Sequence, residues 1–203
     1  MRKITFLTNI GLAFVVGLAG ACSSGSNTTT TSNTTTNQAK TTNTNTATKT
    51  EEDAPASVKA VFPEAQSFTK QHKDIPNDAI ADIEKDTGGK VPDTDHHSYL
   101  AFAMKDGKRT QIGAATLVKA NNKEMVIIYE NKDGMPTIKE VRADGVSAEF
   151  LKQFPGKGHD DKFMVGGDIK ANGVDDATAK AIALAVRIDS LTMQALYGAA
   201  HSH

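Results

Sequence analysis

Three turn dipeptides, Asp106-Gly107, Asn121-Asn122 and Asp133-Gly134, stand at short intervals in one stretch of this chain. Asn, Asp and Gly tolerate the left-handed backbone that a two-residue hairpin loop requires, so each dipeptide marks a tight antiparallel connection. Residues 99–104, 111–118, 124–129 and 137–141 flank these turns and read as four strands joined in a meander. An antiparallel sheet with an apolar face needs a second layer, and the surrounding sequence supplies helical signals. Residues 57–62 form a short helix that ends at Pro63, and Pro76-Asn77-Asp78 caps residues 79–86, which stop at Gly88-Gly89. Ser147 is placed to cap residues 148–154, with Glu149 in the first turn and Pro155-Gly156 as the stop. The longest helical signal runs from Asp175 or Asp176, either of which can cap it, to about Tyr197. Its mostly apolar stripe, Ile182, Ala185, Val186, Met193 and Leu196, is interrupted by Asp189. The expected class is α+β: a single domain with an antiparallel sheet of about four or more strands and helices packed on one side.

The part of the chain able to build that domain is bounded by composition. Residues 23–50 are Ser, Thr, Asn, Gly, Gln, Ala and Lys, with no aliphatic side chain larger than Ala. Nothing there offsets the entropy of ordering the backbone, so residues 22–50 read as a disordered tether with a root-mean-square reach of roughly 30 Å. Upstream, Met1, Arg2 and Lys3 precede a run from Ile4 to Ala21 that is apolar apart from Thr5, Thr8 and Asn9, the order of a secretory signal peptide. The domain therefore spans residues 51–203.

Leu18-Ala19-Gly20-Ala21-Cys22 resembles the bacterial lipobox, which implies cleavage after residue 21 and acylation of Cys22, the only cysteine of the chain. Several acyl chains on one residue anchor a protein stably without a spanning helix. The expected address is the bacterial cell envelope, lipid-anchored, with the domain outside the cytoplasm. Ser23 is not the aspartate associated with inner-membrane retention, which favours the outer membrane over the inner. Losing residues 1–21 removes Arg2 and Lys3 and no acid, taking the formal charge from -1 to -3. Such a chain offers no general field for nucleic acid. A lone cysteine excludes an intramolecular disulfide and a thiolate metal cluster, and without CxxCH there is no covalent c-type haem.

Four segments of the domain resemble the FMN-binding domain family, whose members include components of the sodium-pumping NADH:quinone oxidoreductase and of the Rnf electron-transport complex. Val61-Phe62-Pro63-Glu64-Ala65 is similar to the family's opening segment, and the strands around Ile112-Gly113 and residues 126–141 to its hairpins. Phe150-Leu151-Lys152-Gln153-Phe154-Pro155-Gly156-Lys157 is the most specific match, and Asp168-Ile169-Lys170-Ala171 with Ala185-Val186-Arg187 completes the series. The resemblance implies a membrane-tethered electron carrier, more a redox or binding module than an enzyme, working with redox partner proteins. FMN would be held by Gln153, Gly156, Lys157, Gly173, Asp176, Thr178 and Lys180. The family attaches FMN through a threonine in the motif SGAT, which is absent here. In one register Asp176 stands at the threonine position; in the other Thr178 keeps the hydroxyl, behind Asp175 and Asp176. Noncovalent FMN is thus favoured over covalent, and a flavin-free binding or structural lipoprotein is the alternative.

From the residues alone, Gly166, Gly167 and Gly173 permit close backbone approach, and the start of the last helix, with Lys157, Lys170 or Lys180 nearby, could hold an anion. Asp175 and Asp176 weigh against it. Asp93, Asp95, His96 and His97 cluster before the first expected strand, and His159, Asp160 and Asp161 form a second group. Adjacent imidazoles in a strand point to opposite faces, so both groups read as solvated loops and no metal is expected. His201 and His203 lie at a terminus expected to fray. No HExxH, P-loop or dinucleotide fingerprint is present, which leaves hydrolase and nucleotide-dependent readings without residues.

Overall fold

A computed structural model describes residues 54–199. The signal peptide, the tether, Cys22, residues 51–53, His201 and His203 lie outside the described residues. The order of elements is α1 (Ala56–Val61), β1 (Ser67–Asp74), α2 (Asn77–Thr87), β2 (Asp95–Lys105), β3 (Lys108–Ala120), β4 (Lys123–Lys132), β5 (Met135–Ala143), α3 (Ala148–Leu151) and α4 (Asp176–Tyr197). The five strands form one antiparallel sheet in the order β1-β2-β3-β4-β5.

The hairpin turns have the expected conformation: Asp106, Gly107, Asn121, Asn122, Asp133 and Gly134 all have positive φ, between 47° and 86°. Each strand runs beyond its expected limits. Backbone pairing carries Asp95–Lys105 past the apolar stretch that makes residues 99–104 recognisable.

Alternation along the strands sorts the side chains between two faces. Leu100, Ala114, Met125, Ile127, Tyr129, Ile138 and Val141 meet Phe150, Phe154, Phe163, Ile169 and the inner side of α4. Tyr99, Ala101, Ala115, Val126 and Ile128 occupy the reverse face, where α1 brings Val58 and Phe62. The class is the expected one, with α1 as an added cover on the second face. Phe62 reaches this position because residue 113 is glycine: a Cβ there would stand 2.5 Å from Phe62 Cε1. A fully buried Phe contributes about 1.5–3 kcal/mol, so the missing methyl at residue 113 is worth keeping.

Helix α4 is held to the sheet by a polar contact in the middle of its apolar face. Asp189 is 7% exposed, and its carboxylate accepts hydrogen bonds from Thr116 Oγ1 at 2.6 Å and Tyr129 OH at 2.8 Å, with His96 Nε2 at 3.0 Å. The partners stand on β3, β4 and β2 respectively. Burial first, then the Asp189 charge and hydrogen bond, holds the Tyr129 phenol well above its ordinary value, so it remains a donor. At the far end Lys73 Nζ donates to Leu196 O at 3.0 Å, a cation at the negative end of the helix.

Removing one partner of a buried ionic contact strands the others, at a cost of about 3–5 kcal/mol. Asp189→Ala should lose that much stability, and Tyr129→Phe about 1.5–3 kcal/mol, the worth of a single hydrogen bond to a charged group. Urea unfolding should show both as lowered midpoints with little change in slope.

Candidate functional site

The segments expected to surround a flavin are neighbours, and their polar groups are engaged with one another. The Gln153 carboxamide pairs with the backbone of Lys170 at two points: Nε2 donates to Lys170 O, and Oε1 accepts from Lys170 N–H, each at 2.8 Å. Gly156 N–H donates to Ile138 O at 2.7 Å and Ile138 N–H to Lys157 O at 2.9 Å, so this turn pairs with the otherwise open edge of β5. Gly173, at φ 72°, lies against the start of α3, where a Cβ would stand 2.6 Å from Ser147 Oγ.

Lys157 Nζ stands 3.0 Å from Asp161 Oδ1 and 3.4 Å from Asp168 Oδ2. Burial, the largest influence on this ammonium, works against its charge, but Asp161 and then Asp168 outweigh it and its pKa is raised. For Asp168 burial also disfavours the charge, and the N–H of Met164 with Lys157 outweighs it, leaving the pKa lowered. The carboxylate accepts from Phe163 N–H at 3.0 Å and Met164 N–H at 2.5 Å, which fixes the loop beneath Phe154 and Phe163.

At the head of α4, Asp175 is the cap: its carboxylate accepts from Thr178 N–H at 2.9 Å, and hydrogen bonding to Thr178 lowers its pKa. Asp176 is the first helical residue and pairs with Lys180 at 2.6 Å. Thr178 Oγ1 accepts from Asn121 Nδ2 at 2.6 Å. A phosphate approaching this helix end would meet the Asp175 carboxylate on the N–H it needs and a lysine already paired. In this arrangement the residues do not fit a flavin phosphate.

A cavity of about 520 Å3 lies elsewhere, between α4, the segment leading into β2, and β3. Its walls include Ile75, Val91, Leu117, Leu184 and Ile188, with His96 and Asp95 among the polar groups, and none of the residues expected to hold FMN lines it. The His96 side chain is 10% exposed. An ionised Asp189 accepts from Nε2, which places a proton there, and Nδ1 is buried with no hydrogen-bond partner among the described residues.

The adjacent His97 points to the other face, as strand alternation requires. There Nε2 lies 2.8 Å from Asp95 Oδ2, and His72 Nδ1 lies 3.2 Å from the same oxygen. Hydrogen bonds from His97 and then His72 lower the Asp95 pKa. His72 enters from β1, a strand that the sequence signals do not reveal, so sequence reasoning misses it. His159, in the second expected group, stands 3.2 Å from Asp160.

No family model matches this chain, and neither a curated protein nor a solved structure matches it.

Gly156 and Gly173 separate two costs. A left-handed backbone costs a non-glycine residue about 1–2 kcal/mol, and a Cβ added at residue 156 would meet nothing within 4 Å. Gly156→Ala should lose that amount in thermal or urea unfolding. Gly173→Ala should lose more, because Ser147 must also move; adding Ser147→Gly should recover part of the difference.

The Lys157–Asp168 loop should respond to pH at both extremes. The depressed Asp168 pKa gives stabilisation that is present above the ordinary aspartate value of about 3.9 and lost as pH falls through the folded value. The raised Lys157 pKa gives stabilisation that is complete below about 10.4 and lost as pH rises through its folded value. Chemical shifts of the Phe163 and Met164 amides, and their exchange protection relative to the intrinsic rate at each pH, should stay constant between these limits and change outside them, and Asp168→Asn should abolish the acid step.

Proposed function

We propose that this chain is a membrane-tethered envelope lipoprotein whose α+β domain binds a small ligand without a flavin, in the cavity beside His96. The observation that carries this reading is the buried Nδ1 of an imidazole that Asp189 otherwise holds in place, unpartnered among the described residues. A buried polar atom without a partner is costly, and a ligand donor would satisfy it. A volume of about 520 Å3 falls in the range of small-molecule pockets, and aliphatic walls with His96, Asn121 and several carboxylates among the lining residues suit an apolar body carrying a hydroxyl or amine. Cys22 supplies the anchor and residues 22–50 the reach. The domain presents the pocket outside the cytoplasm, with the outer membrane favoured.

A second reading, a diverged FMN-dependent electron carrier with redox partner proteins, is favoured by the contact of its two implied segments through Gln153 and Lys170 and through Ser147 and Gly173. It requires Asp175 to leave the N–H of Thr178 when phosphate arrives.

The purified full chain should be colourless, be colourless again once free flavin is removed after incubation with FMN, and take up small aromatic alcohols or amines in ligand-observed NMR. Ala185→Trp, which fills the cavity from α4, should abolish that uptake, and Cys22→Ala should leave it intact while releasing the protein from membranes. Uptake that survives Ala185→Trp would sink the cavity reading. Yellow protein, or stoichiometric FMN binding lost in Thr178→Val or strengthened in Asp176→Asn, would replace it with the electron-carrier reading.

A further inference from the structure

The β1–β2 pairing brings together a donor set that neither strand holds alone. His72 and His97 are direct register partners, as are Asp74 and Asp95 two residues away. In an antiparallel pair such residues share a face, so two imidazoles and the Asp95 carboxylate come together at this end of the sheet, with Asp74 at the register position opposite Asp95. His72 Nδ1, His97 Nε2 and an Asp95 oxygen lie within 4.8 Å of one another. The rings meet edge to face with centroids 4.2 Å apart.

These separations suit a metal ion. With bonds of about 2.0–2.1 Å, a tetrahedral zinc ion sets neighbouring donors roughly 3.3 Å apart. The observed 3.2 Å from His72 Nδ1 to Asp95 Oδ2 and 2.8 Å from His97 Nε2 to the same oxygen require only small adjustments. Like charges placed directly across a strand pair are unfavourable, and Asp74 opposite Asp95 is such a pair. A cation beside them reverses the sign of that contact. Side-chain exposures of 50% for His72, 41% for His97 and 39% for Asp95 leave room for an ion and its waters.

We propose that His72, His97 and Asp95 form a binding site for a divalent first-row transition-metal ion of the zinc, nickel and copper class, with its remaining positions open to water or to an external ligand. Two imidazoles and one carboxylate select this class over magnesium or calcium, which favour oxygen donors throughout. Asp74 shares that face, opposite Asp95 in the register. Asp95 and His97 also line the cavity beside His96, yet the metal site stands independently of whether that cavity takes a ligand.

The test is calorimetric titration of the untagged, detergent-solubilised full chain with Zn2+ alone. One equivalent should bind, equally well in wild type and in the double variant His201→Ala/His203→Ala, which removes the terminal histidines as competing donors. His72→Ala, His97→Ala and Asp95→Asn should each weaken binding by about tenfold or more, since changes even to outer-shell groups cost that much. Cobalt substituted for zinc should give a visible absorption band in wild type that is lost in His72→Ala. Circular dichroism checks that each variant is folded, and His72→Gln, on the edge strand, replaces any alanine variant that is not. Absence of zinc uptake by wild type, uptake lost only in the terminal double variant, or affinity unchanged in folded His72 and His97 variants would each overturn the assignment.

Discussion

A carboxylate in the middle of a helix's apolar face sets the arrangement of this domain. Asp189 cannot be buried uncompensated, because an ionised group out of water must recover its lost hydration from fixed donors. His96, Thr116 and Tyr129 provide these from three adjacent strands. Oily contacts between a helix and a sheet tolerate sliding by a turn; three directional bonds converging on one carboxylate do not. The position of α4 along and across the sheet follows from that convergence. So does the orientation of the His96 ring, whose second nitrogen is buried without a hydrogen-bond partner among the described residues.

With α4 placed, the two ends of the molecule acquire different characters. At the head of α4, polar groups are spent on cross-bracing: Asp175 on Thr178, Thr178 on Asn121, Gln153 on Lys170, and Lys157 on Asp161 and Asp168. These contacts close the loops that carry Phe154, Phe163 and Ile169 into the core and cover the exposed edge of β5. The β1–β2 region has the opposite distribution, with a cavity lined in part by Asp95, His96 and His97 and with the His72 and His97 imidazoles half-open to solvent. Alternation of neighbouring residues is what divides these roles between His96 and His97.

Much of the architecture is legible before any coordinates because turn chemistry and alternation are local. Asp106-Gly107, Asn121-Asn122 and Asp133-Gly134 determine the hairpins whatever packs above them, and the apolar stripe of α4 reports its buried side. Strand β1 is hidden for an equally physical reason. Ser-Phe-Thr-Lys-Gln-His-Lys-Asp has one large apolar residue, and it forms a strand because β2 offers an unpaired edge, not because its own pattern demands one. Lysines and other polar residues on such an edge also discourage pairing with a second molecule. To miss β1 is to miss His72, and without His72 the neighbouring Asp95 and His97 look like loop residues. The head of α4 is partly legible: a cap at Asp175 or Asp176 is foreseeable, whereas the engagement of Gln153 with Lys170 depends on contacts between distant segments.

Glycines and lysines near a helix start are weak indicators of an anion site for a related reason. An N-terminal amide attracts whichever anion is closest, and here that anion is part of the chain. A tethered carboxylate has a large advantage in effective concentration over a free phosphate and gives it up only to a ligand with strong additional contacts. Asp175 thus converts a potential binding position into a cap, and Lys180, drawn to Asp176, adds little free positive charge. At the β1–β2 edge the reverse holds. Asp74 and Asp95 stand opposite each other in the register, and the Asp95 carboxylate is met by exposed imidazoles, His72 and His97, which are also the donors of the proposed metal site.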